Sequence, residues 1–288
     1  MIHWIIEFDE GDELIVDGRK FVCPKANRFI ATYDPLNLKL VMDENFVKAS
    51  TEQESDYVIL SGMHALTASN NGVALVENVL PIVDAWHDKG ALVHLEIAST
   101  QDIDVRKAIL QKLATKVDSV GINERELIDI LEVVGEEMLA KQCCEDCHAE
   151  NLFKALLRVK EILKTPRIQL HFFGMYITVQ DKSFRITPEQ NRNGMMLAAT
   201  VAAGKAGTGN LNNKDNLLWA KGQKVSNVGI NELNAIADII ENENFVSSGI
   251  TQYSDFDIIA IPTILVEKPV TLVGMGDTIS SVSLVGAR

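Results

Sequence analysis

Gly274-Met275-Gly276-Asp277, near the end of a 288-residue chain, combines residue types that together suit phosphoryl transfer. A strand feeding a Gly-x-Gly turn and then a helix leaves backbone N–H groups free. With the positive end of the helix dipole, they make a place for an anion. Asp277, in the first turn of that helix, would stand beside the anion, where a carboxylate can take the proton of a hydroxyl attacking a bound phosphorus. The same residues also fit a plain glycine turn with Asp277 capping a helix, and the short motif alone leaves both readings open.

Two further carboxylates fall at the ends of consecutive expected strands: Glu96 in His94-Leu95-Glu96, and Glu126 in Asn123-Glu124-Arg125-Glu126. In a parallel sheet, ligands collect outside the C-terminal edges of the strands, where hard carboxylate oxygens could hold Mg²⁺, directly or through water, against nucleotide phosphates. The plainer account has Glu126 closing a capping box with Asn123, while His94 and Glu96 alternate along a half-buried strand. Lys25 and Arg28, in Pro24 to Ile30, are available to a phosphate or are solvated surface charges. His3 and His171 flank apolar strand residues and are expected to be structural, with His3 kept as a candidate for substrate contact. Cys144-x-x-Cys147-His148 resembles half of a zinc site, but the other ligands such a site needs lie far off in sequence, so reduced thiols are expected.

The elements that must position these residues alternate. Residues 1 to 8 and Lys20 to Cys23 read as strands around the Asp17-Gly18 turn signal, which predicts a hairpin over residues 1–32. Beyond it, short apolar strands at 56–61, 91–97, 119–122, 169–173, 175–179 and 258–262 are separated by helical patterns at 73–89, 105–115, from 123, 152–163, 189–205 and 231–240, with a last helix after Gly276. Residues 204–228, rich in Gly and Asn, read as one long surface loop. The pattern predicts an α/β fold with three αβα layers around a mostly parallel sheet. It divides the chain into a β-rich segment, 1–32, and an α/β domain, 33–288.

Composition narrows the function. With 40 Asp and Glu against 27 Lys and Arg, the net charge is −13, and no basic cluster interrupts it, so neither nucleic acid nor an anionic membrane is an expected partner. No apolar run approaches the ~20 residues that span a bilayer, and the expectation is an intracellular, cytoplasmic protein. At 47% hydrophobic residues the chain has the makings of a large core.

Five segments, in order, resemble the archaeal ADP-dependent phosphofructokinase and glucokinase family of the ribokinase-like superfamily. They are Ile2-His3-Trp4-Ile5-Ile6-Glu7-Phe8, Pro24 to Ile30, the H-x-E of His94 to Glu96, the N-x-x-E of Asn123 to Glu126, and Pro262 to Ser281. The resemblance implies a ribokinase-like fold and an AMP-forming kinase of glycolysis, which transfers the β-phosphate of ADP to a hydroxyl of fructose 6-phosphate, with glucose as a second acceptor. It implies Asp277 as catalytic base, Gly274, Met275 and Gly276 as an anion hole, Glu96 and Glu126 as organisers of Mg²⁺, and Arg28 or Lys25, with Asn123, on the nucleotide side. It places residues 1–32 on the lid and sugar side. Family members carry an N-terminal part, including sugar-binding residues, that does not precede Met1 here, so a fragment or shortened product is expected. The alternatives are an ADP-dependent glucokinase, an ATP-dependent ribokinase-like enzyme, and a catalytically inactive nucleotide-binding remnant.

Overall fold

The structure, a computed structural model, describes residues 2–24, 27–33, 42–98, 100 and 102–288. Its contacts divide the chain into two units, Met1–Val41 and Met42–Arg288.

In the first unit, β1 (Ile2–Phe8) pairs antiparallel with β4 (Asn27–Tyr33), Ile6 opposite Phe29 and Trp4 opposite Ala31, and between them β2 (Glu13–Val16) and β3 (Arg19–Val22) form a separate ladder. The Asp17-Gly18 turn is where the sequence placed it, with both residues at positive φ. The expected single hairpin is instead two nested ladders, because β2 and the longer β4 are strands of their own. Trp4, Ile6, Phe21 and Phe29 are all more than half exposed.

The second unit runs α1 (Glu44–Glu52), β5 (Tyr57–Leu60), α2 (Gly72–Asp88), β6 (Leu92–Glu96), α3 (Ile103–Ala108) continued by a π-turn, β7 (Ser119–Asn123), α4 (Glu124–Val134), α5 (Glu137–Glu145), α6 (Ala149–Leu163), β8 (Arg167–Phe172), β9 (Met175–Asp181), α7 (Pro188–Thr208), α8 (Lys214–Lys221), α9 (Asn227–Ile239), α10 (Asn244–Ser248), β10 (Ile250–Tyr253), β11 (Phe256–Pro262) and α11 (Met275–Val285). Its strands form one seven-stranded sheet in the order β10-β11-β9-β8-β7-β6-β5. β5 to β8 are parallel, β9 reverses, β11 reverses again and β10 is antiparallel to β11, so five of the seven strands share a direction. The α/β architecture around a mostly parallel sheet is the one the alternating elements predicted.

The two faces of this sheet differ in chemistry. Val93, Leu95, Val120, Ile122, Ile168, Leu170 and Val179 are buried on one face. The residues between them on the same strands, His94, Glu96, Ser119, Arg167, Gln169, Thr178 and Gln180, are polar and also buried. That polar face meets α11, whose Ser283 accepts from Gln169 (3.1 Å), and α7, whose Asn191 binds Arg167 and Gln180 (3.0 and 2.7 Å). Where the polar row gives out, an apolar cluster of Met195, Ala199, Ala202, Ile259, Ile261 and Ile279 takes over the packing of the same helices.

The Gly/Asn stretch is not a loop throughout. Asn213 caps α8 by accepting from the N–H groups of Asp215 and Asn216 (2.8 and 3.3 Å), while the Asn216 side chain returns to the Asn213 N–H. A residue type read as a loop former is here a helix starter.

Candidate active site

Glu96 ends β6 and His94 lies two residues earlier on the same face. His94 Nε2 is 2.6 Å from Glu96 Oε1, and both side chains are buried. The neighbouring strand leaves room for the pair only because it carries Gly121, where an added Cβ would fall 1.9 Å from Glu96 Oε1. Burial pushes the Glu96 carboxyl upward, but the hydrogen bond from His94 and the approach of the Ser280 hydroxyl outweigh it, and the group lies below the ordinary glutamate range. A carboxylate is thus kept ionised in a dry setting.

α11 begins one layer above. Gly274 occupies the N-cap at φ 65°, and no side chain caps the helix. Among the described residues nothing accepts from the N–H groups of Met275, Gly276 or Asp277. Lys205, on α7, holds the turn from behind, its Nζ 3.2 Å from the Gly274 carbonyl and 3.1 Å from Thr278 Oγ1. Asp277 is exposed in the first turn. The result is an open helix terminus, chemically able to take an anion, with a carboxylate beside it and a lysine nearby.

His171, at the end of β8, stands between these parts. A Cβ on Gly276 would lie 3.4 Å from its Nε2. Burial holds its pKa low, against the pull of the Glu96, Glu124 and Asp277 charges. Its Nδ1 has no hydrogen-bond partner among the described residues. The sequence treated His171 as a satisfied structural group; the structure puts it at the junction of Glu96, Asp277 and the Gly274 turn. The signal was in β8, where Arg167, Gln169 and His171 alternate with apolar residues on strands expected to be buried. Lys205 gave no such signal.

Asn123 and Glu126 close a capping box: Asn123 Oδ1 accepts from the Glu126 N–H and Glu126 Oε2 from the Asn123 N–H, each at 2.9 Å. The plainer of the two readings of that motif therefore holds for these atoms. Glu124, the first residue of α4, is the carboxylate of this segment whose charge reaches His171. Among the described residues, no group of three or more His, Cys, Asp or Glu side chains is placed to hold a metal ion by itself. His148 of the Cys144-x-x-Cys147-His148 segment is engaged elsewhere, its Nδ1 2.6 Å from Glu232.

Lys25 lies outside the described residues. His3 and Arg28 are backbone partners of Thr32 and Glu7 in the β1–β4 ladder, and their side chains lie outside the described part. Beside α7 lies an apolar cleft of about 680 Å³, lined by Met196, Leu197, Leu217, Leu218, Val225 and Ile264.

Residues 1–286 match a family profile described as the conserved region of ADP-specific phosphofructokinase/glucokinase. An ADP-dependent glucose/glucosamine kinase of Pyrococcus furiosus is 32% identical over 99% of this chain and 60% of its own length. An ADP-specific phosphofructokinase of Methanosarcina acetivorans is 26% identical over 97% of this chain and 60% of its own. A solved structure described as an ADP-dependent kinase complex with fructose-6-phosphate and ADPβS superposes with a TM-score of 0.88 at 30% identity, covering 99% of this chain and 64% of that one. The chain thus spans about 60% of the length of the curated relatives it matches.

Proposed function

The chain belongs to the ADP-specific phosphofructokinase/glucokinase family, and from that premise we propose that its second unit carries the nucleotide and phosphoryl-transfer machinery of an AMP-forming, ADP-dependent sugar kinase. The observation that carries the reading is the α11 terminus, three uncapped N–H groups with Asp277 beside them. The β-phosphate of ADP would lie on those N–H groups, which oppose the charge of the transferring group. Asp277 would accept the proton of the sugar hydroxyl as its oxygen bonds to phosphorus and the bond to the α-phosphate oxygen breaks, releasing AMP. The apolar cleft suits the base: it is lined from α7, the helix that bears Lys205, and Thr200 to Lys205 covers about 8 Å at ~1.5 Å per residue, which a ribose and diphosphate can span.

Mg²⁺ fits the donor set in one way. Glu96 is an ionised, buried oxygen donor, and Glu124 and Asp277 bring negative charge to the same region. The lack of a ready cage among the described residues agrees with an ion that keeps water and takes phosphate oxygens. Glu96 and Glu126 are the residues we assign to that ion, with Glu126 also holding α4 in place through its cap. Such an ion would neutralise charge on the phosphates.

Fructose 6-phosphate is the acceptor we favour, with glucose second. The first unit, bearing His3, Lys25 and Arg28, is assigned to the lid and sugar side, and the setting to the cytoplasm. Calorimetric titration of the purified chain with ADP, ATP and AMP, with and without Mg²⁺, tests the nucleotide half. Mg²⁺-dependent preference for ADP supports it; preference for ATP, or no binding by a folded chain, overturns it. Transfer to fructose 6-phosphate and to glucose then separates an active enzyme from a nucleotide-binding remnant.

A further inference from the structure

Arg167 is fully buried on the polar face of the sheet, yet among the described residues no carboxylate touches it. Its guanidinium donates to three neutral groups: Ser119 Oγ (2.9 Å), Asn191 Oδ1 (3.0 Å) and Gln169 Oε1. Burying an arginine among neutral partners is costly, and burial draws its pKa down to about 9, against the opposing pull of Glu96. A charge so placed calls for a reason beyond packing.

The bonds that leave Arg167 have a direction. An arginine can only donate, so Ser119 Oγ accepts from it. The Ser119 hydroxyl proton then has one acceptor among the described residues, His94 Nδ1, at 2.8 Å. His94 Nδ1 must therefore carry a lone pair, which puts the ring proton on Nε2, 2.6 Å from Glu96 Oε1. Three successive bonds, on β8, β7 and β6, thus run from a cation toward one carboxylate.

We propose that Arg167 is a positioning residue for Glu96: acting through Ser119 and His94, it fixes the tautomer and tilt of the imidazole, so that Oε1 receives a donor and the rest of the carboxylate is left for the divalent cation of the bound nucleotide. The role of Glu96 toward the cation rests on the kinase reading above; the relay itself rests on the three bonds.

The test is ¹⁵N NMR of the histidine rings in the whole chain, with His94 assigned by its loss in H94Q, followed by Mn²⁺ titration in the presence of ADP. In the wild type, His94 carries its proton on Nε2 and not on Nδ1; a proton on Nδ1 reverses the direction of the relay and overturns the proposal. In S119A the Nδ1 resonance moves to that of a ring nitrogen without a donor. In R167M it moves in the same sense although Ser119 is still present, which a merely structural role for Arg167 would not produce. R167M leaves Gln169 and Asn191 without their donor; should it fail to fold, S119A, which deletes only a hydroxyl, carries the test. Mn²⁺ affinity falls on the order of tenfold in either folded variant, the scale of a lost outer-shell partner. An unmoved His94 resonance, or unchanged Mn²⁺ affinity, in a folded variant overturns the proposal. A wild type that binds neither ADP nor Mn²⁺ removes the kinase reading instead, and with it the metal half of the proposal, while the ring spectra still decide the relay.

Discussion

Three helices of the α/β unit begin in three ways. α4 closes its own first turn, with Asn123 and Glu126 exchanging bonds across it. α6 is closed from a distance: Glu232 of α9 accepts from the Ala149 N–H at 2.7 Å and pairs with His148 at 2.6 Å. α11 is left open, with Gly274 in a left-handed conformation at its N-cap and no side chain on its first N–H groups. The orphan donors of a helix start must go somewhere. α6 shows, within this molecule, that a carboxylate group is accepted there. α11 keeps the same capacity unspent at the edge of the sheet where Glu96 and His171 lie.

The most damaging way to break this comparison is at the open end itself. Asp277→Asn keeps the turn and removes the proton acceptor. Turnover with ADP and sugar should fall by about 10² to 10⁴, the usual worth of a general base, while ADP affinity by calorimetry stays near that of the wild type. Retained turnover would remove Asp277 as the base, and lost nucleotide binding would make it part of the cradle instead. Next comes Gly274→Asp, which places a negative charge on the anion's seat. ADP affinity should drop at least about tenfold, equivalent to ~1.4 kcal/mol. Gly274→Ala is its control: a Cβ in the left-handed conformation costs about 1–2 kcal/mol of stability, and this Cβ would come within 3.2 Å of Lys205 Nζ, but it adds no charge. Equal loss of ADP affinity in both variants would show that the turn's shape, and not its open N–H groups, holds the phosphate.

How much of this was legible in the sequence depended on whether a signal was local. The Asn123 cap, the strand of Leu92 to Glu96 and the helix after the Gly274 turn are set by neighbours in the chain, so periodicity and capping residues revealed them. α8 was missed because Asn213 serves loops and helix starts equally, and the deciding bond lies three residues on, with Asn216. The pairing of β1 with β4 around an inserted hairpin was missed because register across that gap is fixed by partners far apart in sequence. In the site, Asp277 and Glu96 came from motifs. Glu126 carries two readings at once, because a capping box and an acidic ligand pair share the same spacing, and the structure shows the box. His171 and Arg167 meet partners on neighbouring strands or in α11, and only the alternation of β8 carried a trace of them; Lys205, 69 positions from Gly274, left none.

The closed termini should respond less, and in stability before function. Asn123→Ala opens the α4 box and should cost about 1 kcal/mol, a Tm loss of roughly 2–4 °C at this size, with ADP affinity unchanged. A large loss of ADP affinity from so small a loss of stability would make Asn123 a ligand for the nucleotide and not only a cap.

The smallest effect belongs to α6 and depends on pH. The bond and charge of Glu232 raise the pKa of His148 above its ordinary value. The protonated ring is therefore favoured by folding, so its contribution is fully present below the ordinary histidine pKa of ~6.5 and is lost as pH rises through the folded value. His148 is 69% exposed, and solvent screening keeps the contribution below that of the α4 box. Glu232→Gln should flatten this slope, since it removes the charge that raises His148, and should also lower stability above the slope by weakening the bond to the Ala149 N–H. The two parts separate in urea melts across neutral pH: a variant that loses stability equally at every pH would show that the carboxylate serves α6 as a cap alone, as Asn123 serves α4, and that the charge on His148 adds nothing to the closure.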